Sequence, residues 1–448
     1  MITQLQPYPE YKDTGLPWLG KVPKHWEVLP NRALFCEVKE REHPHEEMLS
    51  VTITQGVIRQ RSLLAETAKK DSSNHDKSAY KLVCPGDIAY NKMRAWQGAI
   101  GASTLRGIIS PAYVVMRLRA PANLPRYFHF LLRTPHFAKE AERWSYGITS
   151  DMWSLRPEHF KMIYAPQPPP AEQAAIVRFL DWAGGRVERA VRAKRRLIAL
   201  LQELKQVLIH RAVTGQVDVR TGQPYPAYKP SGLPWLGPIP EHWEVKRMKF
   251  AAIINPPKGE SRQVLEKNPR VTFLPMERVG TEGEFDCREQ VEAAAVSNGF
   301  TYFRRGDVLL AKITPCFENG KGAHLDNLPT EIGFGSTEFH VVRARTGLIP
   351  KYLFYQTRDY NFRDLGARAM TGSAGQQRVP VSFVADYPCL LPPPAEQLQI
   401  VQTVAAETQH LTTAVIRLER EIELLRELRT RLVADVVTGQ WDVRTLAE

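Results

Sequence analysis

At 448 residues, with 43% hydrophobic and 24% charged side chains, the chain is long enough for two to four domains with cores of their own and has an ordinary globular composition. No apolar run approaches the ~20 residues needed to span a bilayer, the opening MITQLQPYPEYK lacks the basic and apolar regions of a secretory signal, and Cys36, Cys84, Cys287, Cys316 and Cys389 form no CxxC and sit at no ligand spacing from a histidine. We therefore expect a cytoplasmic chain without a disulfide framework, structural zinc or membrane partner, and the net charge of +12 suggests a polyanion partner.

The chain opens with YPEYKDTGLPWLGKVPKHWEV at residues 8–28. Residues 48–53, 86–90 and 113–117 read as strands, and residues 125–144 as a helix. PPPAEQ at 168–173 then starts a long polar–apolar stretch, closed by TGQVDVRT at 214–221. The same order returns. YPAYKPSGLPWLGPIPEHWEV occupies 225–245, matching the first block at 15 of 21 positions. Strand-like segments follow at 271–274, 306–310 and 338–342, with a helix expected over 350–369. PPPAEQ recurs at 392–397 and TGQWDVRT at 438–445. These last two pairs share one offset of 224 positions, from 168 to 392 and from 214 to 438. Two copies of one plan, each about 220 residues long, make a pseudo-twofold internal repeat.

The long stretches carry heptad spacing. Val404, Leu411, Leu418, Leu425 and Leu432 recur every seven residues, with Val401, Val415 and Ile422 interleaved. Leu180, Val187, Leu201 and Leu208 do the same in the first half, with Val177, Val191 and Ile198 between them. Such spacing keeps an apolar seam facing a partner helix. A triple proline before each helix and a Thr-Gly pair after it mark the ends. The simplest burial for two equal seams in one chain is against each other. The rival is two coiled coils made to other proteins. The expected fold class is α+β: two mixed α/β domains joined by two long antiparallel helices that form an intramolecular coiled coil.

The two variable segments share a framework, but their loops barely match. This is what two recognition modules of different specificity would show. Candidate DNA-reading residues follow the Gly-Asp strand of each half: Asn91, Lys92, Arg94 and Gln97 in the first, Lys312, Thr314, Glu318, Asn319 and Lys321 in the second. Arg59, Gln60 and Arg61 within residues 55–61, and Gln376, Gln377 and Arg378 on a glycine-rich loop, are further candidates. Arg and Lys suit guanine edges, Asn and Gln suit adenine, and Glu can accept from cytosine. More of them should reach phosphates than bases. Trp96 is expected to be buried. His25 and His242, beside Trp26 and Trp243, are expected to pack the junction between globe and helix.

Taken together, YKxxGLPWLGxxPxHWEV twice, PPPAEQ opening each long helix and TGQxDVR closing it resemble the specificity subunit of a type I restriction-modification enzyme. The resemblance covers essentially the whole chain. It implies target recognition domains at 1–168 and 215–391, a central long helix at 169–214, a C-terminal long helix at 392–437 and a tail at 438–448 returning to the N-terminal domain. Each domain would read one half of a split, asymmetric site on double-stranded DNA, and the helices would set the gap. Such a subunit recruits two modification (methyltransferase) subunits holding S-adenosylmethionine and, in the full enzyme, two restriction subunits driven by ATP with Mg. The chain itself would bind no cofactor.

No catalytic constellation stands out. Asn255-Pro-Pro-Lys258 is near the NPPF/Y signature of amino-methyltransferases, but lysine replaces the aromatic residue that stacks on a flipped base, and no glycine-rich turn precedes it. Glu244-Val-Lys246 fits half a nuclease motif, and its counterpart Glu27-Val-Leu29 lacks the lysine. The expectation is a non-catalytic subunit with no metal site. The alternative is a two-globe protein-interaction scaffold without sequence-specific DNA binding. Because the phrase DVRTGQPYPAYK runs unbroken in mid-chain and is split between the two ends, the termini should meet.

Overall fold

The computed structural model describes residues 5–66, 76–149, 152–373 and 375–446. They form two compact units. One joins Met1–Lys194 to Glu419–Glu448, and the other is the uninterrupted stretch Arg195–Leu418.

The first unit is built on a four-stranded antiparallel sheet, in the order Phe35–Val38, Tyr113–Leu118, Ile88–Asn91, Ile100–Ala102. Its second hairpin pairs Leu49–Thr52 with Gly56–Arg59. The expected strand at 86–90 begins two residues late. Gly86 has φ +94, and the Asp87 carboxylate accepts from Cys84 N, so this pair forms the turn into the strand instead. The single helix expected over 125–144 is two, α1 (Pro125–Leu132) and α2 (Pro135–Arg143). Pro135 at the first position and Thr134 Oγ1, accepting from Phe137 N at 3.2 Å, start a new helix where a continuous one would need a proline N–H. Phe128, Leu131, Leu132 and Phe137 are fully buried and pack the helix pair onto the core. The long helix α3 (Pro170–Val213) follows, 44 residues in one piece.

The second unit repeats the frame. Its sheet runs Ala252–Ile254, Phe339–Ala344, Val308–Ala311, Gly322–His324, the same order of equivalent strands. It adds a second four-stranded sheet, in which Arg270–Leu274 pairs in parallel with Ile332–Gly335. The helix expected over 350–369 is also two, α4 (Pro350–Arg358) and α5 (Tyr360–Arg368), broken at Asp359, whose carboxylate accepts from Asn361 N at 2.8 Å. The second long helix is α6 (Pro394–Val437), again 44 residues.

Within each unit, stretches of the long helices lie side by side. Arg429 pairs with Glu188 at 2.8 Å and Lys194 with Glu421 in the first unit, while Lys205 bonds Thr412 Oγ1 at 3.0 Å in the second. The partner's number falls as the first rises, so the strips run antiparallel. Leu180, Val187, Val191, Val404, Ile422 and Leu432 of the heptad positions are buried, as is Thr408, which interrupts the pattern and returns its hydroxyl to Val404 O.

The repeated blocks act as clamps on the helix starts. Glu172, in the first turn of α3, accepts from Trp26 Nε1 at 3.0 Å and the Tyr8 hydroxyl and pairs with His25 Nε2 at 2.8 Å. Glu396, in the first turn of α6, has the same three partners: Trp243 at 2.9 Å, Tyr225 at 2.6 Å and His242 at 2.7 Å. The glutamine of PPPAEQ ties the helix to its globe. Gln173 Oε1 accepts from Leu124 N and Gln397 Oε1 from Ile349 N, both at 2.8 Å. The closing block docks by a left-handed glycine: Gly439 has φ +79 and Gly215 φ +73, and a Cβ at either would overlap the ring of Pro23 or Pro240. In the first unit Asp442 bridges Gln6, and Gln440 Nε2 donates to Lys21 O at 3.0 Å; in the second Asp218 bridges Gln223.

Burial pushes the Glu396 carboxyl up, but the hydrogen bonds from Tyr225, His242 and Trp243 outweigh it and hold it below the usual carboxylate range. Its folded pKa is therefore the lower one. The stability it contributes is complete above the unfolded value of ~4.3 and is lost as pH falls through the folded value. Melting temperatures measured between about pH 5 and 3 should fall more steeply for the natural chain than for Glu396→Gln. Parallel pH curves would show that this carboxylate carries no such linkage.

Candidate nucleic-acid interface

Each sheet aims a loop outward from the end of its Gly-Asp strand, and an aspartate–arginine pair anchors the strand. Arg117 Nε and Nη2 donate to Asp87 at 2.7 and 2.9 Å, and Arg343 grips Asp307 in the same bidentate way at 2.6 and 2.7 Å. The loop's far end is held by an arginine at the C-terminal end of the helix behind it. Arg133 donates to Gly98 O at 3.1 Å and Ile100 O at 2.8 Å, and its other nitrogen reaches Ile53 O and Thr54 O at 2.8 Å. Arg358 donates to Gly320 O. Gly98 and Gly320 both have positive φ, which lets the chain turn back into the sheet. These groups position the loops.

In the first unit Asn91 caps the loop, its Oδ1 accepting from Met93 N at 3.0 Å. Lys92 is half-buried, and Arg94 and Gln97 are exposed; none of these three has a side-chain hydrogen bond or ion pair among the described residues. Trp96 is half-buried rather than enclosed, with its indole edge-on to Trp153 at 5.5 Å and Nε1 on Met93 O. Arg59 and Arg61 both lie on Glu47, at 3.1 and 3.0 Å, so each would have to share or leave that carboxylate to meet DNA. Gln60 begins a short helix, Gln60–Glu66, with its N–H on Met48 O.

The second unit brings two candidate groups together. Thr314 N donates to Gln377 O at 2.9 Å, Gln377 N to Thr314 Oγ1 at 3.1 Å, and Val379 N to Lys312 O at 2.8 Å. Gln376 and Arg378 are exposed beside them, and Arg378 forks onto Glu338 with Nη2–Oε1 at 2.8 Å. That pair lowers the Glu338 carboxyl. Glu318 and Asn319 sit exposed on the turn ending at Gly320. Lys321 is half-buried, with Nζ on Met276 O at 2.8 Å.

The sequence reading missed the first unit's equivalent of the 376–378 loop. Leu155 N donates to Lys92 O at 2.9 Å, as Val379 N does to Lys312 O, and Tyr146 bridges Ser154 as Thr371 bridges Arg378. The loop between them carries Ile148, 92% exposed, beside Tyr146 and Met152. Gly147 and Gly372 hold equivalent places and were the available signal.

The two motifs set aside as catalytic candidates make contacts within their own unit. Asn255 Oδ1 accepts from Val341 N at 2.9 Å and so stitches its strand end to the sheet. Glu244 and Lys246 form an exposed ion pair at 2.6 Å. His25 and His242 serve the helix starts. Among the described residues no cluster of His, Cys, Asp or Glu could hold a metal ion, and no helix is long and apolar enough to cross a membrane.

No family model matches the chain. It is 35% identical over 214 residues to the specificity subunit of the type I restriction enzyme EcoEI of Escherichia coli, covering 45% of this chain and 35% of that protein. The EcoAI specificity subunit of the same organism is 36% identical over 203 residues, covering 44% of this chain and 33% of its own length. The chain thus spans about a third of the length of these curated relatives. The resemblance read from the repeated blocks is borne out by these matches. Two solved structures share the fold. One, from work on complex assembly and conformational transition of the type I R-M system, matches at TM-score 0.63 and 17% identity over 93% of this chain and 98% of its own. The HsdS subunit from Thermoanaerobacter tengcongensis matches at TM-score 0.50 and 17% identity, over 94% and 98%.

Proposed function

We propose that this chain is a non-catalytic, DNA-reading specificity subunit of a type I restriction-modification complex, each globe recognising one half of a split asymmetric site. The observation that carries the reading is internal. Two globes share one sheet order, one Asp–Arg anchor and one arginine holding the loop end, yet present unlike loops. A frame kept constant under variable loops is what separate reading heads need. The similarity to specificity subunits and the net charge of +12 agree with it.

On this reading the long helices, about 66 Å each at 1.5 Å per residue, form an intramolecular coiled coil and set the gap between half-sites. They also dock two modification subunits, in a cytoplasmic complex. Leu197, Leu200, Leu204 and Val207 repeat along one exposed face of α3, each 43–52% accessible, the spacing of a stripe that a partner helix covers. S-adenosylmethionine, ATP and Mg then belong to the partners. Methylome sequencing of a strain with and without this gene tests the function. A bipartite methylated motif should vanish with the gene, and an unchanged methylome would reject the reading.

A further inference from the structure

In each unit a cleft separates the first globe helix from the long helices, and the two clefts differ in charge. In the second unit a tight turn places Glu282 just before left-handed Gly283 (φ +96). Its carboxylate pairs with Lys205 of α3 and lies 3.5 Å from buried Arg358 of α4. The first unit has a similar turn, with Gln55 before left-handed Gly56 (φ +76), and the equivalent cations are Arg429 of α6 and Arg133, which caps the end of α1. A neutral amide therefore stands where the other half carries an acid. Arg133 has only backbone carbonyls as partners, and Arg426 has no side-chain partner among the described residues. Four guanidinium groups, those of Arg126, Arg133, Arg426 and Arg429, line this cleft against the single carboxylate of Glu188, which pairs with Arg429; Arg126 pairs with Asp181 outside the lining. The opening is also larger, about 810 Å³ against about 290 Å³ in the second unit. Burial, and then the Arg429 charge, lowers the Arg133 guanidinium, as expected of cations left to face each other.

We infer that the cleft beside Gln55 is a phosphate-binding site that holds the DNA backbone next to the first reading head, while Glu282 closes the equivalent site in the second. The inference rests on the DNA-reading function proposed above. Guanidinium groups match phosphate oxygens in forked geometry. The Gln55 turn opens the strand Gly56–Arg59, so the cleft and the candidates Arg59 and Arg61 lie towards opposite ends of one short strand. The two halves should then differ in how much of their affinity is electrostatic.

The test uses the full-length chain and a fluorescein-labelled duplex of arbitrary sequence, with affinity followed across about 50 to 200 mM salt. Gln55→Glu builds the second unit's arrangement into the first. It should shallow the log–log salt slope by about 0.9, the loss of one phosphate contact, without lowering the melting temperature. Arg426→Gln should do the same, and the double variant should lose little more than either. Glu282→Gln should steepen the slope. If the natural chain binds DNA and none of these variants moves the slope, the inference is overturned and the functional proposal stands. If the natural chain does not bind DNA at any salt, both fall. If Gln55→Glu leaves DNA binding intact but weakens assembly with a modification subunit, the occupant is an acidic protein surface and the phosphate site is wrong.

Discussion

Replacing residues 30–165 with the matching segment of a relative whose complex methylates a different site should change one half of the methylated motif and leave the other half intact. The segment holds the first globe's sheet, its loops and α1–α2, whereas the clamps on the helix start lie largely outside it. Tyr8, His25 and Trp26 precede the segment and Glu172 follows it. The inserted segment must keep Asn123, Leu124 and Tyr127. Asn123 and Leu124 bond Gln173, and Tyr127 donates to Val437 O at 3.0 Å. With those retained, the frame should accept foreign loops because it touches few of them. Methylome sequencing of cells carrying the exchanged chain reads the result. Changes in both halves would refute independent reading heads.

Removing the carboxylate at a helix start should cost more than any surface change in the molecule. Glu172→Ala leaves the Tyr8 hydroxyl and Trp26 Nε1 without an acceptor, and these residues are only 3% and 0% exposed. A buried donor without a partner costs about 1–3 kcal/mol, so the substitution should destabilise the first unit by on the order of 3–5 kcal/mol. Glu172→Gln keeps one acceptor oxygen and should lose roughly half of that. Glu396→Ala should do to the second unit what Glu172→Ala does to the first. Urea unfolding followed by tryptophan fluorescence measures it, since Trp26 and Trp243 sit within the two nodes. A loss below about 1 kcal/mol would mean that water satisfies the orphaned donors.

The frame was legible because it is written twice. Blocks such as PPPAEQ and GLPWLG recur, and heptad spacing survives one Lys or Thr in the seam, since a single polar side chain can fold back on its own helix as Thr408 does. All six expected strands appear within two residues of their expected starts; those at 86–90 and 306–310 begin latest, at Ile88 and Val308. What stayed hidden depends on contacts made late in the chain. The break at Asp359 is set by one side chain, in a segment whose apolar spacing continues across it. The second unit's extra sheet joins residues 270–274 to 332–335, a pairing no local period reports. The loops suffered most. That Arg59 and Arg61 share Glu47, or that Arg378 lies on Glu338, follows from tertiary approach, and a basic residue in a loop looks the same with or without an acid beside it.

The first unit is sealed by residues made after the whole of the second. Leu432, Val436, Val437 and Val443 belong to the same core as Tyr8, Trp26 and Phe128, whereas the second unit's equivalents of the last three, Ala212, Val213 and Val219, lie before its globe in the chain. A ribosome therefore releases everything the second unit needs while the first still lacks a wall. The first unit, although begun before the second, should mature after it, holding an open apolar face through more than two hundred further additions to the chain. Loss of residues 438–446 would accordingly damage the first unit and spare the second.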